Sequence, residues 1–100
     1  MTDKDHDLNI RLAENEEGGR FIARDQEGQE GYLAFTKKGA TLVATTTQVP
    51  EEMGGKGVGS ALMRELIAYA DKHRQVIYPQ CSFVEHQFNK HPEWTALRAP

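Results

Sequence analysis

Four glycines within six positions, Gly54, Gly55, Gly57 and Gly59, surround a single lysine, Lys56, in the run Met53-Gly54-Gly55-Lys56-Gly57-Val58-Gly59-Ser60. Without side chains in the way, a ligand can approach such a backbone closely. If a helix begins beside it, the unpaired N–H groups of its first turn point into the same space and favour an anion. The same glycines would also serve a tight turn, and the cluster alone does not choose between the two. The chain's one thiol, Cys81, likewise has two readings, a reactive group or a small inert hydrophobe in a core. His86 and His91 follow it by five and ten residues, which puts the three on different faces of a helix, so no metal centre is expected.

The elements that must hold these residues can be read from the periodicity. Val58, Ala61, Leu62, Glu65, Leu66, Tyr69 and Ala70 recur at helical spacing, apolar except at Glu65, and predict a helix from about Gly57 to His73. His73 and Arg74 suit its negative end. Before the glycines, Leu8, Ile10 and Leu12 alternate as a first strand, the turn residues 14–19 follow, and Arg20 to Arg24 pair back as a second. Tyr32 to Lys37 form a third, and the β-branched run from Ala40 to Val49 a fourth that Pro50 ends. The first half is therefore an antiparallel meander. Gln75 to Pro79 make a short fifth strand. A strand, a helix and another strand form a β-α-β unit, so the fifth should run parallel to the fourth. Ser82 is positioned to cap a second helix whose Phe83, Val84, Gln87 and Phe88 turn towards the sheet, with Pro92 stopping it near Lys90. Trp94 and Leu97 would pack from the tail. The expected fold class is α+β, a mixed sheet with strands 1–4 antiparallel, a parallel fifth strand and a C-terminal helix.

At 100 residues the chain has room for one domain, placed at 8–100 behind a flexible leader of residues 1–7. A net charge of −3, with 15 acidic against 12 basic residues, gives no footprint for general nucleic-acid binding. No apolar run approaches the length of a membrane span, and the polar N-terminus does not resemble a secretory signal. A lone cysteine forms no internal disulfide, which fits a reducing, cytoplasmic location.

Which anion the glycines would hold depends on residue order. A nucleotide P-loop needs Gly-Lys-Ser/Thr, but Lys56 precedes Gly57 and no Lys-Ser or Lys-Thr pair follows. A dinucleotide fingerprint needs a third glycine after Gly57 and Gly59, and a parallel fold before them. The run from Val49 to Leu62 instead resembles the coenzyme-binding motif of the GNAT superfamily of N-acetyltransferases, usually Arg/Gln-x-x-Gly-x-Gly/Ala. It looks most like the superfamily's very short members, where a helix, a strand and a Cys-x-Phe/Tyr segment ending in His-Pro-Glu follow. Cys81-Ser82-Phe83-Val84 and His91-Pro92-Glu93-Trp94 match that second block. Two positions depart from the pattern: Gly54 stands where Arg or Gln is usual, and Thr46 where the short members often carry His.

The resemblance implies a small acetyltransferase that moves an acetyl group directly from acetyl-coenzyme A to an amine, with the thioester where strands four and five separate. It implies coenzyme contacts at Val49, Gly54, Gly55, Lys56, Gly57, Val58, Gly59 and Ser60, with Asn89 and Lys90 meeting the pantetheine or adenosine phosphates. Cys81 becomes the leading catalytic candidate, as proton donor to the departing thiolate or as an acyl acceptor, and Thr46 and Thr47 hydrogen-bonding groups near the acetyl, although β-branched strand propensity explains the two threonines equally well. The chain lacks room for the helices that shape the acceptor pocket in larger members, so that site is expected to be open; a monomer is expected. The departures at Gly54 and Thr46 favour an alternative, a non-catalytic acyl-coenzyme-A-binding module.

Overall fold

The computed structural model describes residues 8–53 and 57–100. The leader 1–7 and the loop positions Gly54, Gly55 and Lys56 lie outside the described residues. Five strands make one sheet in sequential order: β1 (Asn9–Glu14), β2 (Gly18–Arg24), β3 (Glu30–Lys38), β4 (Thr41–Gln48) and β5 (Val76–Pro79). The first four pair antiparallel and β5 runs parallel to β4, the α+β arrangement that the sequence predicts. Helix α1 (Val58–His73) joins β4 to β5, and α2 (Ser82–Lys90) follows β5. Short 3-10 turns at Glu51–Met53 and Pro92–Leu97 complete the chain. No described helix is long and apolar enough to cross a membrane.

Two-residue alternation assigns one face of the sheet to the core. Phe21, Ala23, Leu33, Phe35, Leu42, Ala44 and Ile77 are buried there, in one cluster with Leu62, Met63, Leu66 and Ala70 of α1 and Val84 and Phe88 of α2. Truncating a fully buried leucine of this kind to alanine costs about 2–5 kcal/mol. Met63 completes the buried face of α1, whereas Glu65, which shares the helical stripe, is exposed. The opposite sheet face bears Arg20, Ile22, Tyr32, Ala34 and Val43, none of them fully buried. At the β1 edge, Glu14 Oε1 accepts hydrogen bonds from Lys37 Nζ at 2.8 Å and Tyr69 OH at 2.7 Å, tying the edge strand to α1. Its carboxyl is held below the usual glutamate range by those two donors.

Two irregularities position the site. The β3–β4 register slips by one: Phe35 faces Ala44 but Ala34 faces Thr46, so Thr45 is an extra residue in β4. A bulge of this kind reverses which side chains point to which face beyond it. The β4–β5 pairing then ends at Ala44 and Pro79, while β4 runs on to Gln48 without a partner on that side. Pro79, with no N–H to offer, is the last residue of β5, as its chemistry requires. The Cys81 N–H bonds to the Ala44 carbonyl at 2.9 Å, so the chain that leaves β5 stays pinned to β4 at the point where the strands part.

Candidate functional site

The start of α1 is built without a side-chain cap. Its N-cap is Gly57, in the left-handed region at φ 71° and ψ 22°, and a Cβ there would meet nothing within 4 Å. The first intrahelical bond runs from Ala61 N–H to Gly57 O at 3.0 Å, which leaves the N–H groups of Val58, Gly59 and Ser60 without a helical acceptor. No acidic residue occupies the first turn. A glycine cap forgoes only about a few tenths of a kcal/mol against Ser, Thr, Asp or Asn, and the positive end of the helix is left to whatever enters from outside.

That end faces a cleft of about 330 Å³, bordered by Thr47 and Val49 from the β4 extension and by Gly57, Val58, Gly59 and Ser60 from α1, with Met53 and Phe83. Val58 and Met53 are buried in the core below. Gly59 has a packing reason of its own: a Cβ at this position would lie 2.7 Å from Cζ of Phe83, so the missing side chain admits the α2 ring against α1.

Cys81 is the N-cap of α2, extended at φ −77° and ψ 132° and half-buried. Its thiol lies 3.5 Å from Thr47 Oγ1 as donor. Burial pushes the thiol pKa up, but the Thr47 hydroxyl and the amides of Val84, Phe83 and Thr47 outweigh it, and the net result lies below the ordinary thiol value. As the N-cap, Cys81 makes no side-chain hydrogen bond to the first turn of α2 in the neutral state. A thiolate formed here would gain the Thr47 hydroxyl as donor together with the positive end of α2.

The candidates from sequence thus separate. Val49, Gly57, Val58, Gly59 and Ser60 border one cleft, and Cys81 is joined to it through Thr47. Gly54, Gly55 and Lys56 lie outside the described residues. Thr46 pairs with Ala34 and so stands on the open sheet face, whereas Thr47, opposite Leu33, stands on the helix face with Cys81. Asn89 and Lys90 are exposed at the far end of α2 and do not border the cleft. Ser82 is the first helical residue, not the cap. Sequence reasoning passed over Met53 and gave Phe83 to the core. The pairing of a helix-starting glycine with an aromatic after Cys81 was the available signal for the latter. The His-Pro-Glu-Trp block folds on itself: His91 Nδ1 lies 3.1 Å from Glu93 Oε2, and its ring stacks on Trp94 at 4.2 Å. Among the described residues no three His, Cys, Asp or Glu side chains gather as a metal site would need.

Comparison with known proteins fits this geometry. The chain resembles a GCN5-like protein from Staphylococcus aureus, whose solution structure superposes with a TM-score of 0.73 over 93% of this chain and 89% of that one, at 23% identity. Nourseothricin acetyltransferase superposes with a TM-score of 0.55 at 19% identity, covering 69% of this chain and 55% of its own. At such identities the likeness speaks for the fold. No curated protein sequence matches the chain. The profile of the GCN5-related N-acetyl-transferases matches residues 20–97. Spanning more than half of the sequence, that match shows that the chain belongs to the GCN5-related N-acetyl-transferase family.

Proposed function

We propose that the protein transfers an acetyl group from acetyl-coenzyme A directly to an amine, in the cleft where β4 and β5 part. The observation that carries the reading is the meeting of three features at one opening: the uncapped start of α1, the extension of β4 beyond its pairing with β5, and a thiol of lowered pKa set against Thr47 of that extension. The cradle suits a pyrophosphate, because the Val58, Gly59 and Ser60 N–H groups supply donors and none of the described residues bordering the cleft carries a carboxylate. Lys56, Gly54 and Gly55 complete the loop in this reading, with Lys56 as a point charge in place of the longer side chain usual at position 54.

Within this scheme the β4 extension holds the pantetheine arm as an added strand, and the Val49 N–H polarises the thioester carbonyl. The amine attacks from the open sheet face, on which Thr46 stands. When the C–S bond breaks, Cys81 gives its proton to the departing thiolate, while Thr47 and the start of α2 stabilise the charge left on Cys81. The proton lost by the nitrogen restores the thiol through solvent, so none is consumed overall. General-acid assistance of this kind contributes about 10²–10⁴-fold.

Turnover of acetyl-coenzyme A with a panel of primary amines, compared between the wild type and Cys81→Ala, tests the reading. A loss of at least ten-fold in kcat with an unchanged coenzyme KM is expected. Equal turnover would remove Cys81 from the mechanism. Coenzyme binding without turnover of any amine would leave a binding module in place of an enzyme.

A further inference from the structure

From the charge and shape of the uncovered sheet face, we infer that it is a docking surface for an acidic polypeptide that presents its amine to the β4–β5 opening. The inference rests on the acetyl-transfer reading for what happens to that amine, but the surface stands on its own observations. The strand register places Arg11, Arg20, Arg24 and Lys38 on this face, with Glu30 as the only described strand carboxylate beside them. Glu30 is already engaged by Arg11 at 3.6 Å. Among the described residues no carboxylate pairs with Arg20, Arg24 or Lys38. The whole chain carries −3, so the positive charge that Arg20 and Arg24 bring to one stretch of this face runs against the molecule's balance, whereas Lys38 stands at the other end of β3, about 26 Å along the strand from Glu30. The other described carboxylates lie in turns, on the helices or, for Glu14, on the helix face of β1.

Position makes the charge useful. The opening lies between β4 and β5, and strands are spaced about 4.8 Å apart, so Arg20 and Arg24 on β2 stand about 10 Å from β4. A small amine reaching the opening cannot also meet them, whereas a lysine within an extended acidic segment spans that distance in three or so residues. The face is apolar between the charges, with Ile22, Val43 and the half-exposed Tyr78 of β5 beside the opening. A polar rim around an apolar centre is how protein contacts are commonly built. Single-stranded nucleic acid suits the face less well. The Arg20 guanidinium lies 4.3 Å over the Tyr32 ring and occupies the surface on which a base would stack.

The test uses three fluorescent peptides of equal length, each with one central lysine flanked by glutamate, glutamine or arginine, and an oligothymidylate. Anisotropy at low salt should show the glutamate peptide binding at least ten-fold tighter than the glutamine one, with the margin shrinking as salt shortens the screening length. Arg20→Glu/Arg24→Glu should abolish that preference while its thermal shift with coenzyme A stays as in the wild type; Arg24→Gln should reduce it about three-fold if the double variant does not fold. Equal binding of all peptides, a preference that survives charge reversal, tighter binding of the oligothymidylate, or a self-associated protein with the face occupied by a second copy would each overturn the inference. Acetylation by mass spectrometry separates the two readings. Peptides bound as expected but never acetylated would defeat the transfer reaction and leave the surface. All peptides acetylated alike would do the reverse.

Discussion

Thr45, Thr46 and Thr47 are chemically identical, and only the backbone gives them different work. In a regular strand Leu42, Ala44 and Thr46 would share a face, and Thr46 would meet the cleft. The extra residue at Thr45 shifts the parity, so Thr47 joins Cys81 and Thr46 turns to the open side. The side chains carry no sign of the bulge, so the sequence offered Thr46 and Thr47 together and could not tell which of them faces Cys81. Cys81 was legible because its block accompanies the glycine loop, but its lowered pKa was not, since that depends on which threonine reaches it. The alkylation rate of Cys81 follows its thiolate fraction, so its pH midpoint should lie below that of free cysteine in the same buffer. In Thr47→Val the thiolate loses a donor and the midpoint should rise, whereas Thr46→Val should leave it in place. An unmoved midpoint in Thr47→Val would remove the hydroxyl from the site.

Among the elements, β1 to β5, α1 and α2 follow from period-two and helical spacing to within a few residues. What periodicity could not show is the tertiary reason for a residue. Gly59 reads as a ligand-approach glycine, yet a Cβ there would also strike Phe83. Two effects of opposite sign then meet at this position. Alanine in a helix is favoured over glycine by about 1 kcal/mol, while crowding a packed ring costs about 1–3 kcal/mol. Gly59→Ala should therefore be neutral or destabilising in the wild type and stabilising by about 1 kcal/mol in a Phe83→Ala background. Urea melts of the four proteins measure the coupling. The same change in both backgrounds would mean that the α1–α2 contact is not what holds this glycine.

On the scale of the molecule, one sheet face is closed by two helices and the other is left open by the described residues. A net charge of −3 gave no hint that the strands gather arginines on the open side, because charge totals do not resolve faces. The alternation Arg20, Ile22, Arg24 contains that information only after the register has fixed which partner is buried. On the proposed reading the closed face supplies the cradle and the open face the approach, so that coenzyme and acceptor would reach the β4–β5 opening from opposite sides. This division of the sheet is the central claim. Titration of labelled protein with coenzyme A, followed by amide NMR, tests it most directly. The largest shifts should fall on Thr47, Val49 and Gly57 to Ser60, with Arg20, Tyr32 and Arg24 unmoved. Shifts centred on the open face, or none at millimolar coenzyme, would contradict the account.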